Sequence, residues 1–460
     1  MNDLQKGTDL RRRTVLLGSG LAVAGFAGCL DDEPEGNGEN DGKSDGGNDG
    51  GDENGGESDD DSEDETNDDE QTEDDGPQPP EPDFLVGSSQ DADYETLQEA
   101  YDSLQSGDVI GIEPGTYTLQ QSVDSAEVDG EILTRSYTYV GESPDETTIE
   151  ILVPDEPSFI VQGLVHYDPE DGAPEFWNVA LEIPADLEYA RTEDEDAYED
   201  GEAQINAHFC TVEGTLGGPT AAHGTVFMDD LSHEISPTDC RFHGEVGGRS
   251  IAGRECRFDG DLKSRNGYVL DSVIDGTVNL NSVLLRRCEI RRGINVNGGG
   301  RVEDCLVEPK PDSNLAIDIR SEYAATVTGS EIRGTVRSNQ DGSHIDRFEL
   351  NRFDVPGARY IIDGAPATDI YLNAFVGGDV RITTDTGDLA SFPAEELDVY
   401  DPERELGNYY SEWDETSDAD EGILGTRTLP GEDGAMDRHP LATPDVEAYA
   451  KAATEADEDD

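Results

Sequence analysis

The sequence predicts an all-β solenoid, a stack of short coils in which each coil buries the face of the next. Three observations predict it. The stretches "CRFHGEV", "CRFDGDL", "SVIDGTV", "CEIRRGINV" and "CLVEP" begin at Cys240, Cys256, Ser272, Cys288 and Cys305, so their starts lie 16, 16, 16 and 17 residues apart. A fixed short period is the mark of a repeat whose units cover their neighbours. Within these units alternate positions are apolar or small: Cys240, Phe242, Gly244, Val246; Cys256, Phe258, Gly260, Leu262; Ser272, Ile274, Gly276, Val278. Period-two alternation belongs to strands, not helices. A second apolar run, at Ile251, Val269, Val283 and Leu285, follows later in each unit.

The chain opens with an address. Arg11-Arg12-Arg13-Thr14 precedes "VLLGSGLAVAGFAG", which ends at Cys29. The apolar run is shorter than the roughly 20 residues a bilayer span needs, so residues 1–29 read as a signal segment. The pair Arg12-Arg13 before that run resembles a twin-arginine export signal. "FAGC" resembles a lipobox, and the resemblance implies that Cys29 is lipidated and holds the protein to membrane lipid outside the cell.

Residues 30–82 hold 24 Asp and Glu and one lysine, Lys43. With almost no apolar surface and with charges that repel, such a segment is expected to be a disordered acidic tether. Its last residues, "GPQPPEP", stiffen the approach to the folded part. The acid excess continues beyond it. The whole chain carries 108 acidic and 30 basic side chains, a formal charge of −78, and without the tether's 24 acids and one base it is 84 against 29, or −55. Export joined to a uniformly acidic body resembles haloarchaeal proteins. In 1 M salt the Debye length is about 3 Å, so basic groups there act by contact rather than by long-range steering. No nucleic acid partner is expected.

The folded part, residues 83–410, begins with "DADYETLQEAYDSLQSGDVIGIEPGTYTL". Asp93 is the expected N-cap, and Leu97, Ala100, Tyr101 and Leu104 share one helical face. Val109, Ile110 and Ile112 follow, then a turn at Pro114-Gly115. A capping helix followed by "GDVIGIEPGTY" resembles the entry of pectin-lyase-like proteins, which implies a right-handed single-stranded parallel β-helix with an N-terminal capping helix. Farther along, "LNRF" at Leu350 and "LNAF" at Leu372 are 22 residues apart, which places Asn351 and Asn373 on adjacent coils where their amides can stack. At roughly 4.8 Å per coil, some fifteen coils would make a rod about 70 Å long. Residues 184–204 break the pattern and are expected to leave the rod as a loop.

Residues 411–445, with Gly407 to Ser411 before them, resemble the tail of NosD-like β-helix proteins. Gly407, Asn408, Tyr409, Ser411, Asp418, Asp420, Gly422, Asp437, Arg438, Pro440 and Leu441 match that pattern, whereas Tyr410, Glu421, Thr426 and His439 depart from it. Residues 446–460 are expected to be an acidic disordered end.

Several constellations bear on chemistry. Cys240, Cys256, Cys288 and Cys305 share one ladder position, with Cys210 beyond it. Packed thiols, disulfides between neighbouring coils and metal ligation all fit them. Copper fits poorly, since three methionines and unpaired histidines do not converge as soft-metal ligands do. Asp418, Asp420 and Glu421 offer oxygen ligands for Ca²⁺ or form a solvated acidic turn. Asp229-Asp230 is a carboxylate pair of the type glycoside hydrolysis needs, without a supporting motif. The strongest local departure is basic. From Arg241 to Arg301 there are 11 basic residues against 7 acids, and "LLRRCEIRRGI" holds Arg286, Arg287, Arg291 and Arg292. In the ladder register Arg287 stands with Asp239, Glu255, Asp271 and Asp304, and Arg291 with Asp259 and Asp275. Two readings follow: the arginines relieve stacked carboxylates, or they grip carboxylate and sulfate groups of an acidic glycan.

These features give three candidate functions. The first is an exported, lipid-anchored, monomeric surface protein that binds acidic glycans or other surface components without catalysis. The second is a polysaccharide lyase or hydrolase, and the third a NosD-like accessory protein in metalloenzyme maturation.

Overall fold

The structure, a computed structural model, describes most of residues 76–458; its longest undescribed internal stretches are 153–174, 184–204, 384–398 and 412–426, and residues 1–75 also lie outside it. The described chain folds as a parallel β-helix. One sheet of 19 strands and another of 14 are each parallel throughout, and the chain alternates between them coil by coil. Fourteen rungs at about 4.8 Å per coil give a rod of roughly 60 Å. The expected loop 184–204 falls outside the described residues.

The 16-residue period appears as register. Phe242 pairs with Phe258, Phe258 with Ile274 and Ile274 with Ile290 on the narrow sheet. These side chains are fully buried, and Phe227, Phe242 and Phe258 stack face to face at 5.0 and 4.8 Å. Each such ring stabilises by about 1.5–3 kcal/mol on burial. The glycine column fits no other residue. A Cβ on Gly260 would lie 2.1 Å from the Gly244 carbonyl oxygen, and one on Gly276 would lie 2.0 Å from that of Gly260.

From Asn178 to Leu372 each coil turns from the long sheet into the narrow one at a single left-handed residue. Asp239, Glu255, Asp271, Arg287 and Asp304 have φ between 52° and 56°, and Asn178, Phe209, Leu350 and Leu372 hold matching corners. A non-glycine residue there costs about 1–2 kcal/mol. The corner repeats because the next residue points inward and joins a buried ladder. Its backbone N–H donates to the side chain one coil on: Cys210 to Thr225 (3.3 Å), Cys256 to Ser272 (3.0 Å), Cys288 to Cys305 (3.4 Å), Cys305 to Ser330 (3.1 Å), Ser330 to Asn351 (3.1 Å), Asn351 to Asn373 (3.1 Å) and Asn373 to Asn408 (3.1 Å). The stacking expected of Asn351 and Asn373 is present, with Nδ2 of the first donating to Oδ1 of the second at 3.0 Å. Ser272 continues the cysteine column, and Cys210 belongs to it as well.

Two expectations need correction. The helix at the entry spans Leu97–Ser103 and is capped by Thr96, whose Oγ1 accepts from Glu99 N at 3.2 Å. Asp93 instead accepts from the first strand, at Leu85 N (2.9 Å). Residues 446–458, expected to be disordered, form a helix. Val446, Tyr449, Ala450 and Ala453 recur at helical spacing and pack against Tyr371, Leu372, Leu406 and Leu441, closing the C-terminal end. The ladder itself ends at Asp437, which accepts from Asn408 N at 2.8 Å, Tyr410 Oη at 3.0 Å and His439 N at 3.0 Å.

Candidate anion-binding surface

The four arginines of the predicted site stand at opposite ends of the two-residue strand Glu289–Ile290. Arg287 is the left-handed corner itself, and its guanidinium is bidentate on Asp271, with Nε to Oδ1 and Nη2 to Oδ2 both at 2.6 Å. Arg286 precedes it, with Nε 3.8 Å from both Glu303 and Asp304. Beyond the strand, Arg291 bridges Asp275 (2.6 Å) and Glu289 (2.8 Å). Arg292 is exposed, and no carboxylate lies within ion-pair distance among the described residues.

Arg291 closes a charged seam on the outer face of the narrow sheet. Asp259 receives Arg241 at 2.9 Å, Arg257 at 2.8 Å and His243 Nδ1 at 2.8 Å, and Arg257 also reaches Asp275. Arg241 stacks on Arg257 one coil apart, and both reach diagonally to the neighbouring carboxylate column, where Arg257 ties Asp259 to Asp275 and offsets the stacked like charges. The Arg287 hydrogen bond holds the Asp271 carboxyl below its usual range. Burial works to raise Asp259, but hydrogen bonds from Arg257 and Arg241 outweigh it and leave that carboxyl lowered. The guanidinium groups stay 39–50% exposed on this seam.

A second basic centre lies outside the interval Arg241–Arg301. It forms where the long sheet divides. The nine-residue strand Val278–Arg286 pairs at its start with Ile294–Val296 and at its end with Arg301–Glu303, so one strand becomes two. On the first branch Asn279, Asn295, Asp318 and Arg337 stand in register on successive coils. Ile317 and Ile319 point into the core, which turns Asp318 outward, yet Asp318 is fully covered. Arg337 covers it with Nε on Oδ1 (2.9 Å) and Nη2 on Oδ2 (2.8 Å), and Arg320 adds Nε (2.9 Å) and Nη2 (2.7 Å) on Oδ2. Burial works to raise this carboxyl, but the Arg337 and Arg320 hydrogen bonds hold it below its usual range. Lys310 donates to Asn295 Oδ1 and Asn295 Nδ2 to Asn279 Oδ1, both at 2.6 Å. Gly293 permits this reach: it has φ +72°, and a Cβ there would sit 3.2 Å from Lys310 Cγ. Sequence reasoning missed the centre because Asp318, Arg320 and Arg337 fall in longer coils of unequal length. The one signal was the alternation "AIDIR", which places a carboxylate between two core isoleucines.

The other candidates resolve differently. Asp229 Oδ2 accepts from Gly214 N (2.7 Å) and Asp230 Oδ1 from Glu245 N (2.6 Å), so each carboxylate ties a turn to a neighbouring coil. All five described cysteines are buried free thiols, and burial pushes Cys210 up to about 12. Among the described residues no group of three His, Cys, Asp or Glu side chains is placed to hold a metal. Asp418, Asp420, Glu421, Cys29, Arg12 and Arg13 lie outside the described residues.

No protein-family model matches the sequence, and no curated protein matches it. A solved structure to which the chain is similar is a pectin methylesterase mutant in complex with a hexasaccharide. It is 14% identical over 66% of this chain and 80% of that one, with a TM-score of 0.17. At that score the superposition carries no argument, and the fold rests on the strand topology.

Proposed function

We propose that the protein is an exported, lipid-anchored surface rod that binds acidic glycans without cleaving them. Cys29 would hold it to the membrane after export on Arg12 and Arg13, and the acidic tether would hold the rod off the lipid. The acidic body and the resemblance to haloarchaeal proteins support work in concentrated salt, where recognition depends on direct guanidinium contacts. The observation that carries the reading is the run of half-exposed arginines in a chain of net charge −78. Each is pre-positioned by a carboxylate, which lowers the side-chain entropy lost when a second anion is gripped. Against catalysis at Asp229-Asp230, both carboxylates are occupied by backbone amides.

Affinity electrophoresis of the full chain through polyuronate and sulfated glycan, in about 2–4 M salt, tests the reading. Retardation by either polymer supports it, and unretarded migration in both overturns it.

A further inference from the structure

We propose that Arg249 and Arg265, stacked on neighbouring coils of the long sheet, form with Tyr268 a binding site for a carboxylate- or sulfate-bearing unit of an acidic saccharide. The proposal rests on the glycan reading and gives it a specific place on the rod.

The strands Val246–Arg254, Leu262–Leu270 and Val278–Arg286 lie side by side in register. Gly248 pairs with Ser264 and Ser250 with Asn266, so Arg249 and Arg265 hold one position on neighbouring coils, and Asn281 holds it on the next. All three are exposed. Arg241, Arg257 and Arg291 each grip a carboxylate, and Arg254 lies over the ring of Tyr268 at 5.6 Å. Arg249 and Arg265 have no such partner among the described residues. The acids of the same strand pair are engaged elsewhere: Glu245 accepts from Lys263 at 2.5 Å and Asp261 from Thr277 N at 2.8 Å. Like charges directly opposite each other on neighbouring strands are destabilising, and no described carboxylate offsets these two. An oxyanion set between the two planar forks would be gripped by each and would turn that repulsion into attraction.

The surroundings point to a saccharide rather than a bare ion. Gly247, in register with Lys263, leaves the outer face bare beside the two arginines. Space does not demand a glycine there, since a Cβ would lie 3.7 Å from its nearest neighbours, Glu245 Oε1 and Leu231 O. On the other side of the pair, Tyr268 is partly exposed and in register with Ala252 and Leu284. Three residues on from Arg265, it stands roughly 10 Å along the strand, a span that a short saccharide bridges. Its ring offers an apolar face to sugar C–H groups and its hydroxyl a hydrogen bond, and Arg254 over the ring holds its orientation. Asn266 and Ser250, paired between the arginines and the tyrosine, add an amide and a hydroxyl. The site thus joins an oxyanion anchor to a polar strip and an aromatic ring.

The experiment measures binding of short uronate and sulfated oligosaccharides to the full chain by calorimetry, in about 2–4 M salt. Arg249→Gln and Arg265→Gln each remove one of two stacked like charges, so neither should lower the melting temperature. Each should weaken binding by about tenfold or more, whereas Arg287→Gln should leave it unchanged. Tyr268→Leu, which places there the residue found at Leu284, should weaken oligosaccharide binding as well. Parent-like affinity in both Arg249→Gln and Arg265→Gln overturns this site and leaves the glycan reading standing. Failure of the parent to bind either oligosaccharide overturns both. Parent-like affinity in Tyr268→Leu, or inorganic sulfate that displaces the oligosaccharide completely at equal concentration, overturns the saccharide assignment in favour of a free oxyanion.

Discussion

Arg287 holds Asp271 on the preceding coil through two parallel hydrogen bonds of 2.6 Å, although Arg287 itself stands in the left-handed corner its neighbours give to acids. The corner column would otherwise stack Glu255, Asp271 and Asp304 with no cation between them. The arginine is therefore first a structural element, and its contribution is limited by exposure. Arg287→Gln should lower stability by no more than about 1 kcal/mol, as for other exposed pairs. Thermal melts at low and high salt check this, and the loss should be smaller in high salt.

The buried ladder should be far less forgiving. Asn373 accepts from Asn351 N and from Asn351 Nδ2, and donates to the Phe348 and Tyr371 carbonyls. Asn373→Ala would leave several of these groups buried and unpaired, at about 1–3 kcal/mol for each. Cys305→Ser should cost little, because a serine hydroxyl accepts the same backbone N–H at Ser272 and Ser330. Denaturant unfolding of the two variants should separate them by several kcal/mol.

Gly260→Ala tests the close approach of neighbouring turns. The added methyl would meet backbone, not a flexible side chain, so the coil has to shift. A loss of about 1–3 kcal/mol is expected, and the same change at Gly253, where an added Cβ would lie 3.7 Å from Phe258 and Pro237, should cost less.

Asp437 gives the C-terminal end a pH dependence. Burial raises its carboxyl from 3.8 to about 6, against the hydrogen bonds from Asn408, His439 and Tyr410. A folded-state pKa above the unfolded one means that the folded protein holds this proton more tightly. Its contribution is fully present below about pH 4 and is lost as pH rises through about 6, a change on the order of 3 kcal/mol. Asp437→Asn should remove that slope. Comparing unfolding free energies of parent and variant at pH 4.5 and pH 7.5 (about the ends of that window) isolates the term from the many other carboxylates.

What was legible in the sequence was what repeats at constant spacing. The interval from Cys240 to Cys305 carries its own register, so Phe242, Phe258 and Ile274 could be placed inward and Arg287 and Arg291 set among acids from their spacing alone. The corners were not legible as corners, because an acid, an arginine and a leucine all occupy them; the left-handed turn is imposed by the ladder on either side. Thr96 and Asp93 are both good caps, and only the strand Phe84–Val86, which claims Asp93, decides between them. The terminal helix was masked by its acidic composition, which outweighed four apolar positions at helical spacing. The Asp318 centre needed three dimensions, since Lys310, Asp318, Arg320 and Arg337 meet across coils of unequal length.

The central claim is binding without cleavage, and one incubation tests it most directly. The full chain is mixed with polyuronate in concentrated salt, and complex formation is followed together with chain length and the ultraviolet absorbance of unsaturated uronate ends. The account predicts a complex in which the polymer keeps its length and no absorbance develops. Shortened or unsaturated chains, or a polymer that never associates with the protein, would contradict it.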